Sequence, residues 1–230
     1  MFLRPNLRLT RRIPFNLICA ALIFVAASTA ANADELAVWN FNDSDLNVDH
    51  GSGTLTSTLN VANILFAAGT ATNARQGDLA GQALSIQGGT GTANNGRNIT
   101  FAVSTVGFAN IVVSFASQGT STGFNSNQFQ YSIDGISFVN FSPPYTPATT
   151  FGAVPFVFSL AAVAGLNNNP NAVFRIVFNG ATSSTGNNRI DNIVVEGTSL
   201  ASATIPEPTS VLLLLTGIGS LYKLRQRKRH

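Results

Sequence analysis

The sequence predicts an all-β protein, an antiparallel β-sandwich or jelly roll of about 8–10 strands, flanked by an N-terminal signal helix and a single C-terminal membrane helix. Short runs of residues alternate between apolar and polar with the two-residue period of half-buried strands. Clusters of Gly, Asn and Asp separate these runs, as turns require. Between residues 34 and 204 no stretch has the 3.6-residue periodicity of an amphipathic helix.

The strands are predicted one by one from this alternation. In 173–178, for example, Phe174, Ile176 and Phe178 share one face and Arg175 lies on the other. Asp134-Gly135 is typical of a two-residue hairpin turn, and 159–166 is the segment most compatible with a short helical turn. The predicted strands in chain order are 36–41, 83–87, 99–103, 111–116, 128–133, 156–158, 173–178 and 190–195.

Charge is distributed unevenly along the 230 residues. The net charge is +3, but residues 34–204 contain four Arg against nine Asp and Glu, so all the excess positive charge is terminal. A nucleic-acid partner is therefore not expected for the body of the chain. The body has no Cys, Lys or Met and one His, which excludes disulfides, thiolate or Lys Schiff-base catalysis and a Cys/His zinc site there.

Residues 1–33 have the three parts of a secretory signal peptide. A basic segment precedes an apolar run from Phe15 to Ala27, and Ala31-Asn32-Ala33 is an A-x-A cleavage site that makes Asp34 the first mature residue. The alternative is a membrane anchor, but the run reaches only ~20 Å as a helix against a hydrocarbon core of ~30 Å. We therefore expect an export translocon and signal peptidase as partners.

The C-terminal end has a second tripartite arrangement. Pro206-Glu207-Pro208 keeps the chain extended ahead of an apolar helix predicted over 209–224, and a basic tail over 223–230 follows. By the positive-inside rule the tail stays cytoplasmic and stops transfer, which leaves the body outside the membrane. Residues 34–199 are then one β-sandwich domain and 200–205 a linker. The basic residues of the membrane stop are Lys223, Arg225, Arg227, Lys228 and Arg229.

This end resembles the PEP-CTERM sorting signal of Gram-negative bacteria over residues 206–230. The resemblance implies that Pro206, Glu207 and Pro208 are recognised by an exosortase, an integral-membrane Cys protease that processes its substrates near the motif. The alternative is a tail anchor with an accidental Pro-Glu-Pro. The resemblance implies an exported protein, transiently anchored in the inner membrane and then placed in the cell envelope, at the surface or outside the cell.

The body resembles jelly-roll domains of the galactose-binding-like type in 129–138 and 189–197. That resemblance implies a role in binding carbohydrate and, in some modules, a structural Ca²⁺. Asp191 is predicted to share a strand face with Ile193, so a buried charge there needs a cation or a hydrogen-bonding partner. Asp43 and Asp45 have the spacing of a calcium loop, but the Gly and terminal Glu of an EF-hand are absent, so a solvated acidic loop is the alternative.

Trp39 and Tyr145 are the aromatic side chains with which a sugar ring could stack. Trp39 lies within a strand pattern, which also fits a core position, whereas Tyr145 lies between prolines in a loop expected to be exposed. The only His of the body, His50, and the absence of a G-x-S-x-G motif argue against a hydrolase.

Three functions follow from these patterns. The first is an exported cell-envelope or extracellular-matrix protein, sorted by an exosortase, with a structural, adhesive or glycan-associated β-sandwich and no enzymatic activity. The second is a calcium-dependent carbohydrate-binding module, for which a polysaccharide is the expected partner. The third is a secreted hydrolase with a pair of carboxylates.

Overall fold

The structure is a computed structural model that describes residues 33–200. Within this range no helix has the length and apolar character needed to cross a membrane. The predicted signal peptide up to Asn32 and the predicted sorting signal 206–230 lie outside the described residues. The strands are β1 (Ala33–Trp39), β2 (His50–Gly51), β3 (Thr54–Ser57), β4 (Ile64–Ala68), β5 (Gln82–Gln87), β6 (Asn98–Ala102), β7 (Phe108–Gly119), β8 (Gln128–Ser132), β9 (Val139–Asn140), β10 (Phe156–Ser159), β11 (Val173–Val177) and β12 (Asn187–Ser199), and single 3-10 turns cover Val61–Asn63, Thr90–Thr92 and Ala164–Leu166.

The strands form two antiparallel sheets that pack face to face. The first is a seven-stranded sheet in the order β10-β7-β12-β1-β2, with β5 also paired to β12 and β4 to β5. The second is a five-stranded sheet in the order β3-β6-β11-β8-β9. The described residues are therefore a β-sandwich, as the sequence predicts.

Aromatic side chains from both sheets fill the interior. Trp39 of β1 is fully buried and its ring centroid lies 6.0 Å from that of Phe101 on β6. In the middle of the sandwich Phe129 of β8 stacks on Phe158 of β10, with 4.1 Å between ring centroids. Burial of these large rings removes much apolar surface from water, which is the main stabilising contribution to such a core.

Strand β12 lies at the centre of the seven-stranded sheet. One of its edges pairs with β7, from Asn188 to Ser199, while the other pairs first with β5 and then with β1. Asp191 and Asn192 lie where the partner changes from β5 to β1. Here β12 advances three residues, from Asp191 to Val194, while β7 advances two, and Asn192 has a φ of +50°. This irregularity is a β-bulge, which re-aims the side chains that follow it.

Three local predictions differ from the structure. The described residues contain twelve strands rather than eight to ten, because β2 and β9 are two-residue pairs and β3 and β4 lack a full apolar repeat. Asp134-Gly135 is not a two-residue hairpin, since β8 ends at Ser132 and β9 begins at Val139. The helical segment predicted over 159–166 is reduced to the 3-10 turn Ala164–Leu166.

Candidate functional site

The predicted sites fall into two groups. The sorting motif Pro206-Glu207-Pro208, the membrane-stop residues and the signal residue Ala31 lie outside the described residues, so those predictions stand as made. Ala33 and Asp34 are the first residues of β1, where Ala33 lies opposite Thr198 of β12.

Both aromatic residues predicted to contact a sugar pack inward. Trp39 has no exposed surface, so it cannot reach a ligand at the protein surface. The ring of Tyr145 packs against Phe156, with 4.5 Å between centroids, and against Phe115. Its hydroxyl is buried and has no hydrogen-bond partner among residues 33–200, and this burial raises the pKa of Tyr145. Tyr145 is half-buried rather than fully exposed, because the bridge between Asn127 and Tyr145 draws the loop onto the core. Contact of Tyr145 with a sugar stays a prediction of the sequence.

Asp191 is fully buried, but on the side of the sheet away from the core. Ile193 belongs to the hydrophobic core, whereas the Asp191 carboxylate contacts the segment that follows β4. The prediction that these two side chains share a face is wrong because the bulge at Asn192 breaks the two-residue period. Asp191 Oδ2 accepts a hydrogen bond from the backbone N–H of Thr70 at 2.7 Å, and Oδ1 accepts one from the N–H of Asn192 at 2.9 Å.

Burial raises the pKa of Asp191 to about 7, although the two backbone hydrogen bonds act in the opposite direction. A calcium ion needs six to eight oxygen ligands. Here both carboxylate oxygens accept N–H groups, and the carbonyl oxygens of Thr70 and Thr72 accept hydrogen bonds from the side-chain amide of Asn192. The atoms around Asp191 thus satisfy one another by hydrogen bonding, and this donor set does not fit a calcium ion.

The segment 69–76, between β4 and β5, covers the outer face of the seven-stranded sheet; we name it the covering loop. Asn73 donates hydrogen bonds to the backbone carbonyl of Asn192 at 2.8 Å and to Ser114 Oγ at 3.0 Å. Arg75 forms ion pairs with Glu196 at 2.9 Å and with Glu35 at 3.3 Å. These contacts join the loop to β1, β7 and β12, so the loop closes the outer face over these three strands.

Asp43, Asp45 and Asp78 take part in turns and loop contacts. Asp43 and Asp45 accept backbone N–H groups within their own loop, at 3.3 Å for Asp43 and 2.7 Å for Asp45. Asp78 accepts hydrogen bonds from Asn40 at 2.9 Å and contacts His50 Nε2 at 3.2 Å. Among residues 33–200 no three His, Cys, Asp or Glu side chains are grouped to hold a metal ion. Calcium binding at Asp43 and Asp45 stays a prediction of the sequence.

The outer face of the five-stranded sheet is arranged differently. Strand pairing places one polar residue from each of the five strands side by side in a single row. The register puts each member directly opposite the next, which brings neighbouring side chains within reach of one another. We name this set the polar row; in order across the sheet it consists of Thr56, Thr100, Arg175, Gln130 and Asn140.

Side chains of the polar row hold one another in place. Arg175 Nε donates to Gln130 Oε1 at 2.7 Å, and Gln130 Nε2 donates to Asn140 Oδ1 at 2.7 Å. The guanidinium of Arg175 also stacks on the ring of Phe138, with Cζ 3.6 Å from the ring centroid. A planar cation over an aromatic face at this distance is an attractive contact.

The loop between β8 and β9 brings Phe138 to Arg175. Asp134 Oδ1 accepts hydrogen bonds from the backbone N–H groups of Ser137 at 2.7 Å and Ile136 at 2.8 Å, and from the Ser132 hydroxyl at 2.8 Å. The backbone hydrogen bonds, led by that from Ser137, hold the pKa of Asp134 well below its usual range. This carboxylate-centred turn replaces the predicted two-residue hairpin and folds the loop over one end of the outer face.

Sequence reasoning did not identify the polar row. The alternation correctly places Arg175 and Gln130 on the outer faces of their strands, because Phe174 and Phe129 are buried. The register that aligns the five strands comes from pairings between residues 10 to 75 positions apart, such as Gln130 with Asn140 and Thr100 with Arg175. A periodic pattern within one strand carries no signal for such pairings.

No protein-family model matches this chain, and no curated protein matches it. Among solved structures, it is similar to domain 4 of AbnA, an extracellular arabinanase from Geobacillus stearothermophilus, in complex with arabinotriose, at 16% identity and a TM-score of 0.45, covering 74% of this chain and 95% of that one. It is also similar to the CBM22-1 xylan-binding domain of Paenibacillus barcinonensis Xyn10C, at 12% identity and a TM-score of 0.45, and the match covers 75% of this chain and 100% of that one. A third similar structure is TmCBM61 in complex with β-1,4-galactotriose, at 11% identity and a TM-score of 0.41, and the match covers 68% of this chain and 92% of that one.

Proposed function

We propose that this protein is exported, is sorted to the cell envelope, and binds polysaccharide there through the outer face of its five-stranded sheet. The polar row is the observation that carries the proposal. Its role is contact with a polymer rather than turnover, since no Asp or Glu belongs to the row.

The chemistry of the row suits a sugar polymer. Sugar hydroxyls both donate and accept hydrogen bonds, and the row offers amides, hydroxyls and a guanidinium along one line. The strand spacing of about 4.8 Å gives the row a length of ~19 Å, enough for several sugar units. Because the backbone of the sheet is already paired, these side chains carry the recognition.

Pre-organisation distinguishes this face from an ordinary solvated one. Exposed long side chains usually sample several rotamers, and ordering them on binding has an entropic cost. Here the contacts of Gln130 with Arg175 and Asn140, and of Arg175 with Phe138, already restrict those rotamers. A ligand would therefore meet a face whose hydrogen-bonding groups are in place.

The geometry of the chain ends supports attachment at one end of the sandwich. Ala33 lies opposite Thr198, so the predicted mature N-terminus and the linker to the predicted sorting signal begin at the same end of neighbouring strands. We propose that an exosortase recognises Pro206, Glu207 and Pro208, after an export translocon and signal peptidase have acted on the N-terminal signal. The sandwich would then project from the envelope with its ligand-binding face free.

Polysaccharide binding is tested with the full chain purified in detergent and a panel of neutral and acidic polysaccharides, in the presence and absence of EDTA. We expect binding that Gln130→Ala weakens, because this residue connects Arg175 to Asn140. Gln82→Ala is the matched control, since it removes the same side chain from β5 of the other sheet. Equal binding by both variants, or no binding to any member of the panel, would refute the proposal.

Sorting is tested separately in the native host. Replacing Pro206 and Pro208 together by Ala should leave precursor of full mass in the inner membrane, measured by fractionation and intact mass. Gln82→Ala, which lies far from both the motif and the predicted signal-peptidase site, is the control for export. Normal processing of the Pro206/Pro208 variant would exclude recognition of this motif.

A further inference from the structure

The polar row contains one cation whose charge is not balanced. Arg175 is half-buried at the middle of β11, and burial lowers its pKa, although an arginine remains charged at any physiological pH. Within residues 33–200 no carboxylate lies within 4.0 Å of its guanidinium, whereas Arg75 is paired with Glu35 and Glu196.

The terminal nitrogens of Arg175 also find no acceptor among residues 33–200. Of its three side-chain nitrogen atoms only Nε makes a hydrogen bond within the described part of the chain. By comparison, Arg97 and Arg189 each donate from Nη1 to a backbone carbonyl, of Thr58 and Ala68 respectively. Arg175 therefore presents Nη1 and Nη2 as an open fork, while Gln130 and the Phe138 ring fix the plane of the group.

No strand position of this face carries an acidic side chain, and the Asp134 carboxylate of the adjoining loop is occupied by three hydrogen bonds from Ser132, Ile136 and Ser137. The outward positions of the five-stranded sheet carry only hydroxyl, amide and aliphatic side chains besides Arg175. The other outward residues of these strands are Thr54, Thr56, Asn98, Thr100, Ala102, Gln128, Gln130, Ser132, Asn140, Val173 and Val177.

We propose that Arg175 binds the carboxylate of an acidic sugar, so that the ligand of the polar row is a polysaccharide containing uronic acid units. This inference rests on the polysaccharide-binding function proposed above and names its ligand class. A planar carboxylate accepts two parallel hydrogen bonds from the guanidinium fork. The neighbouring amides and hydroxyls then contact the hydroxyl groups of the same sugar chain.

The surroundings favour a carboxylate over a sulfate or phosphate. A tetrahedral anion has oxygen atoms outside the guanidinium plane, which are usually bound by a second cation or by backbone N–H groups. Here Arg175 is the only charged member of the row, and its backbone lies in the middle strand of the sheet, paired on both sides. The fork can satisfy two coplanar oxygens and little else.

The test compares acidic polysaccharides with matched neutral ones on the full chain in detergent. Polygalacturonate and alginate are each titrated beside their carboxyl-reduced forms, which keep the backbone and lose the charge, and dextran sulfate is included. We expect the wild-type protein to bind the acidic form about tenfold more tightly than the reduced form, and added salt to lower that difference.

Three variants assign the preference to Arg175. Arg175→Gln should bind acidic and reduced forms equally, and both somewhat more weakly than the wild-type protein binds the reduced form, because Gln130 loses the donor that orients it. Arg175→Lys keeps the charge but not the fork and should retain only part of the preference. Arg97→Gln removes an arginine that lies outside the row and should change nothing. Urea unfolding followed by the fluorescence of Trp39, the single tryptophan, verifies that each variant is folded.

The outcomes separate this inference from the function on which it rests. An acidic preference that persists in Arg175→Gln overturns the inference and leaves polysaccharide binding intact. Arg175-dependent binding that is tighter for dextran sulfate than for both uronates also overturns it. If the protein binds none of these polysaccharides, charged or reduced, the proposed function and this inference are both overturned.

Discussion

The two outer faces of the sandwich carry polar side chains, but they use them differently. On the seven-stranded sheet, Asp191, Asn73 and Arg75 attach the covering loop, which buries the outer face over β1, β7 and β12. On the five-stranded sheet, Arg175 and Gln130 bond along the surface and remain accessible to a ligand. Polar residues that alternate along a strand can therefore serve internal closure or, as we propose for the five-stranded sheet, recognition, and only their partners distinguish the two.

Burial makes the outer face of the seven-stranded sheet, which we call the closed face, more sensitive to substitution in its effect on stability. Its polar groups have lost contact with water, so each depends on one or two protein partners. Side chains on the outer face of the five-stranded sheet, which we call the open face, exchange a lost partner for water at little cost in free energy. Changes on the closed face should accordingly alter stability, and changes on the open face should alter binding.

The largest expected effect concerns pH and Asp191. The pKa of this carboxyl is about 7 in the folded protein, against 3.8 for an ordinary Asp, so between these values the folded state holds a proton that the unfolded chain has released. The stabilisation that comes from this bound proton is fully present below pH ~4 and is lost as pH rises through ~7. Its loss lowers the free energy of unfolding by up to ~4 kcal/mol. Asp191→Asn should flatten the pH dependence, measured by urea unfolding and Trp39 fluorescence from pH 4 to 8.

Other carboxyls contribute to the whole curve, so the difference between wild type and Asp191→Asn is the informative quantity. Burial also raises the pKa of Asp49, which acts in the same direction, whereas that of Asp134 is lowered and acts in the opposite one. Parallel curves for the two proteins would mean that Asp191 is as well solvated in the folded state as in the unfolded chain. The closed face would then not be closed at this position.

A smaller effect is expected from the packing of the covering loop. A Cβ added at Gly69 would collide with Asp191 Oδ2 and with the backbone carbonyl of Ala80, so the loop or the carboxylate must shift. We expect Gly69→Ala to lower the free energy of unfolding by about 1–3 kcal/mol, the usual range for overpacking. Gly152→Ala is the matched control, because its Cβ would meet only ordinary contacts at 3.4 Å or more. Equal stability of the two variants would show that the covering loop is loosely held.

The sequence predicts the fold better than it predicts the site. The apolar residues Phe129, Phe174 and Ile176 alternate with polar ones, and this pattern identifies β8 and β11. All three are buried in the structure, so the pattern also gives the correct outer face of each strand. Strand β4 is missed because none of its residues is fully buried, and β3 because Leu55 is its only buried residue. Alternation detects strands that are half-buried, and edge strands such as these lack it.

The closed face shows a different limit of sequence reasoning. A strict two-residue period predicts Asp191 beside Ile193, but the positive φ of Asn192 inserts a bulge and reverses the faces. Asn is among the residues that adopt this conformation most readily, so Asp191-Asn192 carries a weak signal for a bulge. The partner of Asp191 is Thr70, 121 residues earlier in the chain, and no local pattern indicates that contact.

The smallest expected effects give the most direct comparison of the two faces. Ser114 exchanges hydrogen bonds with Asn73 beneath the covering loop, so Ser114→Ala should lower the free energy of unfolding by about 1 kcal/mol and leave polysaccharide binding unchanged. Asn140 is exposed on β9, so Asn140→Ala should change stability by less than about 0.5 kcal/mol. It should nevertheless weaken binding, because Gln130 loses the acceptor that orients it. Urea unfolding and polysaccharide titration of both variants separate the two effects. If Ser114→Ala lost binding at unchanged stability, the polysaccharide would bind the outer face of the seven-stranded sheet, and our proposal would be wrong.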